Sequence, residues 1–121
     1  MEHLDLDDDS LPDFDVQGLW DRLDGDVEAL VRLLEMFQEE FPIRVMELKD
    51  SLDRGDLEGA SKCAHSLKGL CASMGAEKLR RLMAGAEKDP LSASGDFFRA
   101  VSLCFLRFVK ISEDLRRRWI G

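Results

Sequence analysis

Apolar or small residues at Leu57, Ala60, Ala64, Leu67, Cys71 and Met74 follow one another at intervals of 3, 4, 3, 4 and 3. A strand alternates every two residues, so this interval commits the segment to a helix with one buried stripe. With Leu57 at position a of a seven-residue frame, Ala64 and Cys71 also fall at a, and Ala60, Leu67 and Met74 at d. His65 then takes b, Lys62 and Gly69 take f, and Ser61 and Lys68 take e. The seam turns towards neighbouring helices and the histidine turns outward, with a lysine about one turn to either side.

The same period governs the rest of the chain. Val27, Leu30, Leu34, Phe37, Phe41, Val45, Leu48 and Leu52 form a stripe about 26 residues long, which Pro42 should bend or split. Phe97, Val101, Cys104, Phe108, Ile111, Leu115 and Trp119 form another, and Leu79, Leu82, Met83 and Ala86 mark a shorter helix over 76–88. A first helix over 16–23, capped by Asp15, brings Leu19, Trp20 and Leu23 to close one end of the bundle. Turns fall at Asp24-Gly25-Asp26, at Arg54-Gly55-Asp56, at Gly75 and across 89–95. Gly75 suits the left-handed residue past the end of the histidine helix. The expected fold is all-α: an antiparallel four-helix bundle over residues 15–121, with the short N-terminal helix over one end.

Charge separates a tail from a body. Seven of the 25 acidic residues lie within residues 1–15, which hold no Lys or Arg, and the rest carries 18 acids against 17 bases. Residues 1–14 therefore read as an acidic mobile arm, and the net charge of −8 belongs mostly to it. A near-neutral body without a basic-aromatic stripe argues against nucleic acid. Arg116, Arg117 and Arg118 instead complement the dipole at the end of the last helix. No apolar run approaches the roughly 20 residues of a membrane span. Three cysteines without paired spacing read as reduced thiols in a cytoplasmic protein, and no set of side chains has metal-ligand spacing.

The candidate chemistry centres on His65. Lys62 and Lys68 at i−3 and i+3 favour a neutral imidazole, whose free nitrogen is a nucleophile, and their charge suits an arriving phosphoryl group. Gly69 costs about 1 kcal/mol relative to alanine inside a helix, a cost explained if another protein comes close there. No phosphate-cradling glycine loop or carboxylate set for ATP and Mg²⁺ accompanies this nucleophile. That combination fits a phosphoryl acceptor without its own energy source.

His65-Ser66-Leu67-Lys68-Gly69, with Gly75 six residues further on, resembles the signature of histidine-containing phosphotransfer (Hpt) domains of two-component phosphorelays. The resemblance extends with its flanking helices over about 16–115. It implies that His65 is the phosphohistidine, that Lys68 and Lys62 support the phosphate, and that Gly69, Ala72 and Ser61 form a low docking surface. It also implies a monomer whose partners are a response-regulator receiver domain and a sensor or hybrid histidine kinase. No cofactor is expected on this chain; Mg²⁺ belongs to the partner receiver. Cys71 departs from the small residue or serine of many relatives, and its place on the seam points to a tuned core. Relatives often bring a polar residue to the histidine from the next helix, for which Glu87 is the candidate. A non-phosphorylated adaptor, or a domain cut from a longer hybrid or chemotaxis-type kinase, is the alternative. The start at Met1 behind an acidic arm leans towards a free-standing protein.

Overall fold

Aspartates start three of the helices. Asp15, Asp26 and Asp56 each accept a hydrogen bond from the backbone N–H three residues on, at Gly18, Ala29 and Gly59, satisfying a donor that the first turn leaves open. In the computed structural model, residues 14–120 are described, with side chains as far as Arg118. The expectations for an arm over 1–13 and for Trp119 in the core lie outside the described residues and side chains. The elements are α1 (Val16–Arg22), α2 (Val27–Asp53), α3 (Leu57–Ser73), α4 (Glu77–Lys88), a 3₁₀ turn (Pro90–Ser92) and α5 (Gly95–Ile120). Helix α3 packs between α2 and α4, and α5 completes the ring against those same two helices.

The stripes meet as their spacing requires. Phe37 and Phe41 of α2 stack against each other at 5.0 Å, and Phe41 stacks on Phe105 of α5 at 4.9 Å. Phe37 lies 4.7 Å from Phe108. Each such ring, fully buried, contributes on the order of 1.5–3 kcal/mol. Ala60 and Ala64 let neighbouring helices come close to α3, while Leu67, Cys71 and Met74 fill the remaining length of its seam. Burial pushes the Cys71 thiol up to about 12, so it stays protonated as a small apolar group.

Two placements differ from the sequence reading. Phe14, placed in the arm, is buried and its ring lies 4.6 Å from Phe108, so the packed chain starts one residue earlier than Asp15. Leu57, placed on the seam, is 40% exposed, because the first residue of α3 stands at the edge of the bundle. Helix α2 is not split at Pro42. Proline lacks the donor that would reach the carbonyl of Gln38 and its ring crowds that carbonyl, at a cost of about 3 kcal/mol. Buried Phe37 and Phe41 before it, and buried Leu48 after it, hold both halves in one core.

Gly75 joins this end of the bundle together. It has φ +70°; its N–H donates to the Ala72 carbonyl, and the Ala76 N–H donates to that of Cys71. This paired pattern closes α3 as expected of a left-handed glycine. The Gly75 carbonyl accepts from the Asp15 N–H at 2.7 Å, and Arg22 donates to the Ser73 carbonyl at 3.0 Å, so α1 is tied to the α3–α4 turn.

Candidate functional site

Burial of the α3 seam fixes the direction of His65. With Ala60, Ala64, Leu67 and Cys71 inside, the histidine one residue past Ala64 emerges towards α4 and solvent, its side chain 70% exposed. Nδ1 lies 2.7 Å from Oε1 of Glu87, which stands in the last turn of α4. Oε2 of the same carboxylate lies 2.5 Å from Lys68 Nζ. Lys68 and His65, in that order of importance, hold the Glu87 carboxyl below the usual glutamate range. An ionised carboxylate can only accept, so Nδ1 carries the proton and the lone pair of a neutral ring resides on Nε2. This tautomer is assigned from the partner atom.

The surroundings hold that arrangement in register. Ser61 Oγ donates to the Glu87 backbone carbonyl at 2.9 Å, fastening the end of α4 to α3 one turn before His65. Ser61 was expected on an open docking surface; it is half-buried and spent on this contact. Lys62, expected beside the phosphate, pairs with Glu58 at 3.4 Å on its own helix. Of the two lysines flanking the histidine, the structure brings Lys68 into its hydrogen-bonded cluster. The cluster carries a carboxylate as well as the cation that the sequence suggested. Gly69 and Ala72 are exposed on the same helix, and a Cβ added at Gly69 would meet nothing within 4 Å. The fold itself therefore places no demand for glycine there.

Two neighbours of the site have weak sequence signals. Glu87 is 22 residues from His65, and only the family resemblance pointed to it. Arg44 of α2 donates to Ser66 Oγ at 2.6 Å and lies 3.5 Å from Glu40, a contact that depends on helix register and leaves no local motif. Between α2 and α3 an open groove of about 360 Å³ is lined by Arg44, Glu47, Lys62, Cys63 and Ser66. Among the described residues, no group of three or more His, Cys, Asp or Glu is placed to hold a metal ion. No described helix is long and apolar enough to cross a membrane.

His65 thus stands exposed on a helical bundle, held by a carboxylate from the next helix. The family model for the Hpt domain matches residues 32–115, and the chain belongs to that family. Among curated proteins, the phosphorelay intermediate protein rdeA of Dictyostelium discoideum is 26% identical over 110 residues. That alignment takes in 88% of this chain and 43% of the relative, so the chain spans less than half of the relative's length. No solved structure matches the chain.

Proposed function

We propose that this protein is a stoichiometric phosphoryl carrier in a two-component phosphorelay, with His65 as the acceptor. The observation that carries the reading is the exposed His65 ring held through Nδ1 by Glu87, beside the bare backbone of Gly69. The Nε2 lone pair attacks the phosphorus of an aspartyl phosphate on a receiver domain. The N–P bond forms as the P–O bond to the aspartyl carboxylate breaks, and that carboxylate leaves as the anion. The imidazole becomes cationic while Nδ1 keeps its proton, and the Glu87 carboxylate stabilises that charge. Lys68 offsets the charge of the phosphoryl group and of Glu87 together. Both species are high-energy phosphoryl compounds, so transfer runs in either direction according to supply.

The chain contributes no ATP chemistry in this scheme. A sensor or hybrid histidine kinase loads the relay upstream, and the receiver brings the Mg²⁺. The test is transfer from a phosphorylated receiver domain to wild type and to His65→Gln side by side. Acid-labile, base-stable label on wild type alone supports the reading. Absence of label from receivers, and then from histidine kinases supplied with ATP, overturns it in favour of a non-phosphorylated adaptor.

A further inference from the structure

We propose that Ser61 is a positioning residue for the phosphoryl acceptor: its hydroxyl holds the end of α4 so that Glu87 keeps the proton of His65 on Nδ1 and the lone pair on Nε2. The inference rests on the phosphotransfer reading. It adds a residue beneath the site that sets the form in which the nucleophile is presented.

One residue of α4 is gripped at three points. The Glu87 carbonyl accepts from Ser61 Oγ at 2.9 Å, Oε1 lies 2.7 Å from His65 Nδ1, and Oε2 lies 2.5 Å from Lys68 Nζ. Ser61, His65 and Lys68 fall at i, i+4 and i+7 of α3, so they share one face and stand about one turn apart.

The point where α4 stops makes the first of these contacts necessary. In a continuing helix the Glu87 carbonyl would accept from the N–H of residue 91. Pro90 instead opens a 3₁₀ turn, and its ring has no N–H for the Ala86 carbonyl, so α4 ends at Lys88. Glu87 therefore lies one residue from the end, in the turn where helices fray. The Asp89 N–H satisfies the Gly85 carbonyl at 3.0 Å, and Ser61 supplies from α3 a donor for Glu87. Ser61 is half-buried, so it works from under the end of α4 and not from the open face of the site.

The geometric tolerance is small. Turning α4 by about 10° about its axis carries a group about 6 Å from that axis through about 1 Å. A shift of that size takes Oε1 from 2.7 Å past hydrogen-bonding distance of Nδ1. The neutral ring is then free to carry its proton on Nε2, where no lone pair remains for phosphorus. The Glu87 carbonyl lies near the helix axis and its carboxylate at the rim. Fixing both therefore holds the height and the rotation of the helix end together.

Imidazole nitrogen NMR of the full chain at alkaline pH, where imidazoles are neutral, reads the tautomer without any partner. Wild type should show chiefly the Nδ1–H form, and Ser61→Ala should become a mixture with the Nε2–H form. In transfer from a receiver domain loaded with acetyl phosphate, Ser61→Ala should lower kcat about 3- to 10-fold, the size of one lost hydrogen bond, with KM within about twofold of wild type. Ser61→Thr keeps the hydroxyl and should hold both readings near wild type. Circular dichroism confirms that each variant is folded. A folded Ser61→Ala with the wild-type tautomer or the wild-type kcat has lost only a structural bond and overturns the inference. A Ser61→Thr as impaired as Ser61→Ala assigns the effect to packing and overturns it too. No uptake by wild type, from receivers or from histidine kinases with ATP, overturns the phosphotransfer reading itself, an outcome separable from the others because the tautomer is measured without transfer.

Discussion

Gly69 should set stability against function. A Cβ at this position meets nothing within 4 Å, and the helix continues four residues beyond it to Ser73. Replacing glycine by alanine in an exposed helix interior stabilises by about 1 kcal/mol, because the unfolded chain loses freedom and no clash opposes it. For a domain of this size that is an increase of about 3–6 °C in Tm. Gly69→Arg gains nearly as much helix propensity, yet projects a long side chain where the partner must approach. If the docked interface packs like a protein interior, forcing that side chain into it costs about 1–3 kcal/mol, as overpacking a core does. Transfer should then fall about 5- to 150-fold in kcat/KM. Thermal melting and single-turnover transfer from a phosphorylated receiver measure the two effects on the same samples. A more stable Gly69→Arg protein that transfers at the wild-type rate would refute the close-approach argument. A destabilised Gly69→Ala would show that the fold needs glycine there after all.

The other expectations concern the site and its support. His65→Gln should lose all phosphoryl uptake and keep its helicity; a large loss of helical signal would mark the histidine as structural. Lys68→Ala should slow transfer about tenfold, as expected for loss of a charge-assisted contact, and an unchanged rate would remove Lys68 from the mechanism. In the same variant the Glu87 carboxyl, followed by NMR, should titrate closer to the ordinary glutamate range, because its largest stabilising partner is gone. A carboxyl lowered in the folded state favours folding above its unfolded value, and that contribution disappears as pH falls through the lowered value. Gly75→Ala should destabilise by about 2–4 kcal/mol, combining the left-handed backbone with crowding of the Asp15–Gly75 hydrogen bond. The added Cβ would lie 2.9 Å from the Asp15 carbonyl oxygen. A Tm within 2 °C of wild type, against the roughly 6–24 °C drop expected, would contradict that account.

Periodic features were legible in the sequence because helix geometry is local. Intervals of three and four residues located every long helix, and they turned His65 outward by burying Ala64 beside it. Glycine after Met74 marked the end of α3 because few other residues adopt φ +70° cheaply. What sequence missed lay between helices. Arg44 reaches Ser66 and Ser61 reaches Glu87 through the relative height of packed helices, which no spacing within one helix records. Lys62 misled for a related reason. Glu58, one turn before it, competes for its charge at a spacing as favourable as that of His65. Phe14 was obscured by its acidic neighbours, although its own ring completes the core against Phe108.

The uneven depth of the three cysteines gives the molecule a chemical handle. Cys71 and Cys104 are buried, and Cys71 is held as a thiol far from the thiolate that alkylating reagents attack. Cys63 is half-buried and lines the groove between α2 and α3, two residues before the histidine. A maleimide dye should therefore attach at Cys63 in the native protein without mutagenesis. Its emission would report how wet that groove is, two residues from the histidine, in the natural sequence.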